Sequence, residues 1–279
     1  KQKQLVADYF SKTVKYWHDL YSNDTLRGIY SYAMIKRKEI TIDVIDRYSD
    51  NRVLKVLDIG CGPGIVMAAI ASRGHKIFGI DIAENMLEEA RKKMLPYSGK
   101  EKVCYQGDIE NLPFDDQSFD AIISLAVLQY LPDDHKSLLE MRRVIKKEGV
   151  IIICLPNKLK LRLFFDPISI YRFGLMLSSF IIHRKDRKST KTINSDSITS
   201  TARTYWPWHL RPLFQEHNFE RLALYGIDYG PLTFFEKPFL SDQVSLKINN
   251  ILNSLSEVKI FSWIKLFANQ WVIVLQNNY

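Results

Sequence analysis

The hydrophobic pattern of the chain changes period repeatedly between residues 50 and 156. Short continuous apolar runs alternate with stretches in which apolar residues recur every three or four positions. VLKVLDI (53–59), KIFGID (76–81), KVCYQ (102–106), FDAIISL (119–125) and VIIIC (150–154) read as buried strands, since they are too short for helices of the same polarity. Between them, 65–73, AENMLEEARKKM (83–94) and 136–147 read as helices. In the second, Ala83, Met86, Leu87, Ala90 and Met94 share one face. Gly74 and Gly149 stand where helices stop, and Pro-Asp-Asp at 132–134 leads into the third. This β-α-β alternation demands a parallel sheet with helices on both faces. Right-handed crossovers bring the carboxyl ends of the strands to one edge, where open α/β sheets bind ligands.

The flanks are less regular. Residues 4–47 read as helical: Leu5, Tyr9 and Val14 start a sparse stripe, Tyr16, Trp17 and Tyr21 continue it, and SNDT (22–25) makes a turn. Ile29–Ile45 then carries Ile29, Tyr30, Ala33, Met34, Ile40, Ile42, Val44 and Ile45 near helical spacing. Beyond the fifth strand, 161–182 is rich in Leu, Phe and Ile but broken by Arg162, Asp166, Pro167 and Arg172. Its longest uncharged run, Phe173–Ile182, is too short for a membrane span, which takes about 20 residues. Arg184–Arg203 reads as a polar loop or lid. A short helix (207–219), an edge strand (220–227), a helical stretch (243–267) and a last strand (270–276) complete the pattern.

The chemistry concentrates at VLDIGCGPG, 56–64, where the first strand enters its helix. Gly60, Gly62 and Gly64 let backbone approach a ligand closely and take φ > 0. The helix behind them turns its unpaired N–H groups toward that ligand. Asp58 adds a negative charge that would repel a phosphate but suit an ammonium or sulfonium. The spacing also differs from the G-x-G-x-x-G of dinucleotide sites, which argues against a nicotinamide dehydrogenase. Asp81 falls 21 residues after Gly60, at the end of the second strand. A carboxylate there can accept both ribose hydroxyls of a nucleoside, or it can cap the helix that follows.

Composition changes the picture in one place. The chain has 279 residues, 46% hydrophobic and 25% charged, which is ordinary for a globular protein of one large or two small domains. Cys61, Cys104 and Cys154 form no C-x-x-C pair and read as buried thiols of a reducing compartment, with no metal site. KQKQLVADYF lacks the order of a signal peptide, so a cytoplasmic location is expected. The net charge is +8, and 158–191 alone carries nine basic residues against Asp166 and Asp186. That segment is either a pocket insertion with a solvated loop or a peripheral membrane contact. RNA is a further reading of the charge, although no RNA-binding module or stacking pattern accompanies it.

An acid followed by G-x-G-x-G, Asp81, and GDIENLPF…FDAI (107–122) together resemble the class I S-adenosylmethionine (SAM)-dependent methyltransferases, over roughly 50–156. The resemblance implies a doubly wound, Rossmann-like α/β fold with a seven-stranded sheet, mostly parallel with an antiparallel last strand. An N-terminal helical lid and an insertion after strand five complete it. The chain is then one methyltransferase domain: lid 1–47, SAM-binding core 50–156, insertion 157–206 and C-terminal sheet portion 207–279. The cofactor is SAM, leaving as S-adenosylhomocysteine (SAH). The resemblance places Asp108 and Ile109 at the adenine. It counts Asp58, Gly60, Cys61, Gly62, Gly64, Asp81, Ile82, Met86, Ser124 and Leu125 with them as cofactor-binding. Tyr9, Tyr16, Trp17, Gln129 and Tyr130 are the acceptor-side candidates. SLAVLQY (124–130) has no Asn/Asp-Pro-Pro-aromatic motif of nitrogen methylation, and no Pro-Cys nucleophile is present, so oxygen or carbon of a small or amphiphilic metabolite is the expected acceptor. His18, His135 and His209 are candidate bases, with Tyr21 as a polar orienter. A SAM-binding regulatory module without turnover, or a methyltransferase acting on a membrane lipid, a glycan or RNA, is the alternative. The opening DYF…W…LY (8–21) weakly resembles the magnesium-protoporphyrin O-methyltransferases.

Overall fold

The computed structural model describes residues 2–22, 29–171, 174, 202–235 and 237–278. Three helices come first: α1 (Gln2–Lys12), α2 (Val14–Ser22) and α3 (Ile29–Ser49). The core follows as β1 (Lys55–Ile59), α4 (Ile65–Ala71), β2 (Lys76–Asp81), α5 (Glu84–Ser98), β3 (Cys104–Gln106), β4 (Phe119–Leu125), α6 (His135–Val144) and β5 (Ile145–Pro156). Then come α7 (Pro207–Glu216), β6 (Phe219–Ile227), a small hairpin of β7 (Thr233–Phe234) and β8 (Lys237–Pro238), α8 (Asp242–Glu257) and β9 (Gln270–Asn277).

Seven strands form one sheet in the order β3-β2-β1-β4-β5-β9-β6. The pairs from β3 to β5 are parallel, and β9 runs antiparallel to both β5 and β6. This is the expected sheet. The central strands are apolar throughout because both faces are covered. Along β5, Ile151, Ile153 and Leu155 enter the layer beneath α6 and α7, while Val150, Ile152 and Cys154 enter the layer beneath α3, α4 and α5. The order reverses between β1 and β4, so the carboxyl ends of β2, β1 and β4 open beside one another.

Several boundaries differ from the sequence reading. α6 stops at Val144, and β5 begins at Ile145, not at 150. Phe119 pairs with Ile145 and Ala121 already with Val150, so 146–149 bulge out between two paired residues, with Glu148 at φ 59°. The helix of 243–267 is two pieces: α8 ends at Glu257, and Lys259–Phe267 winds as a 3₁₀ helix. The stripe on α1 is also different. Leu5 is exposed, and Val6 and Phe10 face inward with Lys3, at i, i+3 and i+7. Most of 172–201, which holds much of the basic-apolar segment and polar loop, lies outside the described residues. No described helix is long and apolar enough to cross a membrane.

Candidate active site

The glycine turn is shaped by what lies behind it. Gly60 has φ 70°, and a Cβ there would collide with Val127. Gly64, φ 74°, is the N-cap residue of α4, and a Cβ on it would come within 2.8 Å of Ala90 Cα on α5. The first glycine thus keeps β1 close to the segment after β4, and the third lets two helices touch. Gly62 meets nothing within 4 Å. Its N–H donates to Asp81 Oδ2 at 2.9 Å, and Ala83 N–H donates to Asp81 Oδ1 at 2.9 Å. Asp81 therefore fastens the turn to the end of β2. It does not cap α5, whose N-cap is Ala83.

A cavity of about 290 Å³ opens over this turn, roofed by α1, α2 and α3. Its β1–β3 half is lined by Asp58, Gly60, Cys61, Gly62, Asp81, Ile82, Met86, Asp108 and Ile109. Leu125 borders it from β4, and the other half holds Phe10, Trp17, Met34, Arg37, Gln129, Tyr130 and Gln270. Phe10 packs edge-on against Tyr130 with ring centroids 5.4 Å apart. α1 is tied across the opening. Lys3 Nζ binds the carboxylates of Asp108 and Glu110, and Gln2 Nε2 donates to Tyr130 O at 2.8 Å.

The electrostatics are set by burial. Asp58 is 3% exposed, and its carboxyl is raised to about 8, first by burial and then by the nearby Asp81, against a lowering by Arg37. Asp81 is raised by burial, with the N–H groups of Ala83 and Gly62 opposing that. Burial also raises the thiols of Cys61 and Cys154. All three cysteines are buried and free.

Ten of the twelve expected cofactor residues line the cavity. The other two do not, for physical reasons. Gly64 is used up in the α4–α5 contact, and Ser124 is fully buried on the strand face that carries Ile122. Of the acceptor-side candidates, Trp17, Gln129 and Tyr130 line it. Tyr16 is 54% exposed, and Tyr9 packs on Phe10 outside the lining. His135 sits at the start of α6, where its Nδ1 lies 3.0 Å from His217 Nε2, and His209 is exposed beside Trp208. Neither reaches the cavity. The side chains of His18 and Tyr21 lie outside the described structure. Among the described residues no cluster of three metal-binding side chains occurs. Sequence reasoning missed Lys3, Phe10, Met34, Arg37 and Gln270; the 3-6-10 spacing on α1 was the available signal for the first two.

Residues 57–153 match the family model described as "Methyltransferase domain". A demethylmenaquinone methyltransferase of Clavibacter sepedonicus is 37% identical over 101 residues, covering 36% of this chain and 40% of that protein. A ubiquinone biosynthesis O-methyltransferase of Rickettsia typhi is 29% identical over 173 residues, 61% of this chain and 66% of that protein. The chain thus spans less than two thirds of the length of these curated relatives. Among solved structures, a magnesium protoporphyrin IX methyltransferase from Synechocystis PCC 6803 with bound SAH aligns over 99% of both chains, with a TM-score of 0.62 and 15% identity. A structure described as a [4+2]-cyclase aligns over 99% of this chain and 96% of its own, with a TM-score of 0.60 and 15% identity.

Proposed function

We propose that the chain, whose residues 57–153 match a methyltransferase domain, is a class I SAM-dependent methyltransferase that moves a methyl group from SAM to a hydroxyl or carbon of a small or amphiphilic metabolite. The observation that carries this reading is the cavity itself. It joins the glycine turn, Asp81 and Asp108 in one half and an aromatic surface in the other.

SAM supplies an electrophilic methyl on a positively charged sulfur. Asp81 receives the ribose hydroxyls on oxygens that already hold Gly62 and Ala83 in place. Asp108 accepts from the adenine amino group, which requires it to give up part of its contact with Lys3. Ile109 would pack on the ring, and Asp58 would face the ammonium. The remaining work is alignment, which can supply several kcal/mol through effective concentration. Phe10, Trp17, Met34 and Tyr130 offer a planar apolar acceptor its flat contacts, and Gln129 and Gln270 offer amides to its oxygens.

The quinone-pathway names of the two relatives support a ring acceptor with an apolar body. Those names include both O-methylation and an unspecified methyl transfer, so they leave oxygen and carbon open. The fold alone also serves a cyclase, and the test must therefore read turnover. Methyl-labelled SAM is incubated with the protein and fractionated cell extract. Enzyme-dependent label in the small-molecule or lipid fraction, with matching SAH, is the expected result. Bound SAM with no SAH formed in any fraction would replace transfer by a binding role.

A further inference from the structure

The exposed aromatic side chains are gathered at one edge of the sheet. Among the described residues, every exposed phenylalanine and tryptophan lies in the connection from β5 to β6 or in that from β6 to β9. β5 and β6 both end, and β9 begins, where Pro156 and Ile227 flank Gln270. Pro156 and Gln270 also line the cavity, so this edge is the rim of the candidate active site. Trp208 stands at the same edge, because Tyr205, just before it, bridges to Asn157 at the end of β5. The 3₁₀ helix Lys259–Phe267 leads into β9 and sorts its side chains into rows, since residues i and i+3 eclipse. Ile264 and Phe267 pack inward, Ile264 on the core and Phe267 against Phe164 with ring centroids 5.5 Å apart. Ile260, Trp263 and Leu266 form a second row that faces solvent: Ile260 is 75% and Trp263 57% exposed. The third row is Lys259, Ser262 and Lys265. Lys265 pairs with Glu257 at 3.2 Å, and Lys259 is exposed. The hairpin on the same connection presents Phe234, Phe235 and Lys237, all exposed.

We propose that this edge, led by Ile260, Trp263 and Lys259, is a docking surface for an anionic lipid bilayer. A gathered apolar surface marks an interaction site, and charge selects its occupant. Residues 158–279 carry sixteen basic against nine acidic residues, whereas 1–157 are nearly balanced at 23 against 22. Tryptophan, phenylalanine and isoleucine beside lysine are the make-up of an interfacial segment, whose rings sit at the depth of the headgroups and whose cations meet anionic lipid. A second copy would bring the same excess of positive charge and be repelled. The chain then rests on the bilayer through side chains, since no described helix is long and apolar enough to cross it. Docking at the cavity rim lets an amphiphilic acceptor pass from lipid to the site without crossing water. That consequence rests on the methyltransferase reading; the docking itself does not.

Vesicle flotation of the full-length protein tests the surface. Vesicles of phosphatidylcholine alone are compared with vesicles that also contain phosphatidylglycerol, at low and high salt. The wild type is expected to float with the anionic vesicles and to be released by salt. Trp263→Ser weakens that binding roughly tenfold or more, the scale of withdrawing one large apolar side chain from lipid, and Ile260→Ser moves it in the same direction. Lys259→Gln weakens it about fivefold, the contribution of one lysine near an anionic surface. Leu95→Ser, at a 62% exposed position near the end of α5 and away from this edge, leaves it unchanged. Should Trp263→Ser disturb the fold through the lost packing on Phe267, Ile260→Ser carries the comparison. SAH is titrated into each protein alongside. The three substituted positions of the 3₁₀ helix lie outside the cavity lining, so SAH affinity stays at the wild-type value. Wild type that floats but binds no SAH would end the methyltransferase reading and still support the docking surface. No flotation, flotation indifferent to lipid charge, or equal flotation of every variant would overturn it. So would a dimer, seen by light scattering, that Ile260→Ser dissociates, because the row would then belong to a second copy.

Discussion

Asp58 shows how much a single buried carboxyl can report. Its ordinary value lies near 4, and the folded protein raises it to about 8. A ligand ammonium needs the ionised form, so at pH 7 binding must expel a proton. SAH affinity is expected to rise with pH, approaching about tenfold per unit below that value, and to level off above it. Calorimetry in two buffers of different ionisation enthalpy would record the proton, and Asp58→Asn would remove both effects. A pH-independent affinity would mean that Asp58 meets no ligand charge. The same shift bears on folding. Between about 4 and 8 the folded chain holds a proton that the unfolded chain has lost, so raising the pH across that window costs stability. Gly60 is constrained differently. Gly60→Ala puts a Cβ into Val127 at φ 70°, and an overpacking cost of about 1–3 kcal/mol is expected. A thermal melt and an SAH titration should both register it; a variant that is unchanged in both would mean that the turn tolerates a side chain. Asp58, the glycines and Asp81 were legible because they fall at the ends of two successive strands and in the turn between strand and helix, and Asp108 only through the family resemblance. Arg37 was not. It stands in the run Lys36-Arg37-Lys38, which looks like a solvated helix face, yet it falls on the buried stripe of α3 with Ala33, Met34, Thr41, Val44 and Ile45.

At the level of elements, α1 is the part most exposed to test. Its pocket face is small, and the pairs of Lys3 with Asp108 and Glu110 are partly exposed. Such pairs are worth about 0–1 kcal/mol, so Lys3→Ala should leave the global melting temperature almost unchanged. Amide exchange across 2–12 should nevertheless quicken, because among the described residues the Gln2–Tyr130 and Asn85–Ser11 hydrogen bonds are then what ties that helix across the site. Unchanged exchange would show that packing of Val6 and Phe10 alone holds it. The stripe on α1 was misread because Tyr9 and Leu5 are large and apolar enough to suggest a core face, whereas Lys3 faces inward for its charge. The end of α6 was misplaced for a different reason. Gly149 looked like a helix stop, but Lys146 reaches back to Asp120 at 2.7 Å and the bulge before Gly149 already belongs to β5. The insertion is legible only at its ends: Asp166 accepts from Thr233 Oγ1 at 2.6 Å, and Arg203 N–H donates to Gln129 O at 2.8 Å. The second of these ties the returning chain to a residue that lines the cavity.

For the molecule as a whole, the parallel sheet covered on both faces was readable from the alternation of periods, but the strand order was not. The last two strands were readable as strands, but the antiparallel direction of the last came only through the family resemblance, since nothing in QWVIVLQ itself says that it inserts between β5 and β6. That insertion makes β9 a central strand, and Trp271 on it is fully buried with its Nε1 donating to Lys265 O at 2.7 Å. Trp271→Ala is expected to cost about 3–5 kcal/mol, seen as a large fall in the denaturation midpoint; a small fall would mean that β9 is peripheral to stability. The acceptor was not legible at any scale, because its half of the cavity is gathered from α1, α2, α3, the segment after β4 and the start of β9, which lie far apart in sequence.

The account stands on the claim that the cavity over the glycine turn holds a nucleoside whose ribose rests on Asp81. Calorimetric titration of SAH into wild type and Asp81→Ala tests it most directly. The account predicts one site per chain in the wild type and a loss of roughly tenfold or more in the variant, the scale of hydrogen bonds to a charged group. Equal affinities, or no binding to the wild-type protein, would contradict it.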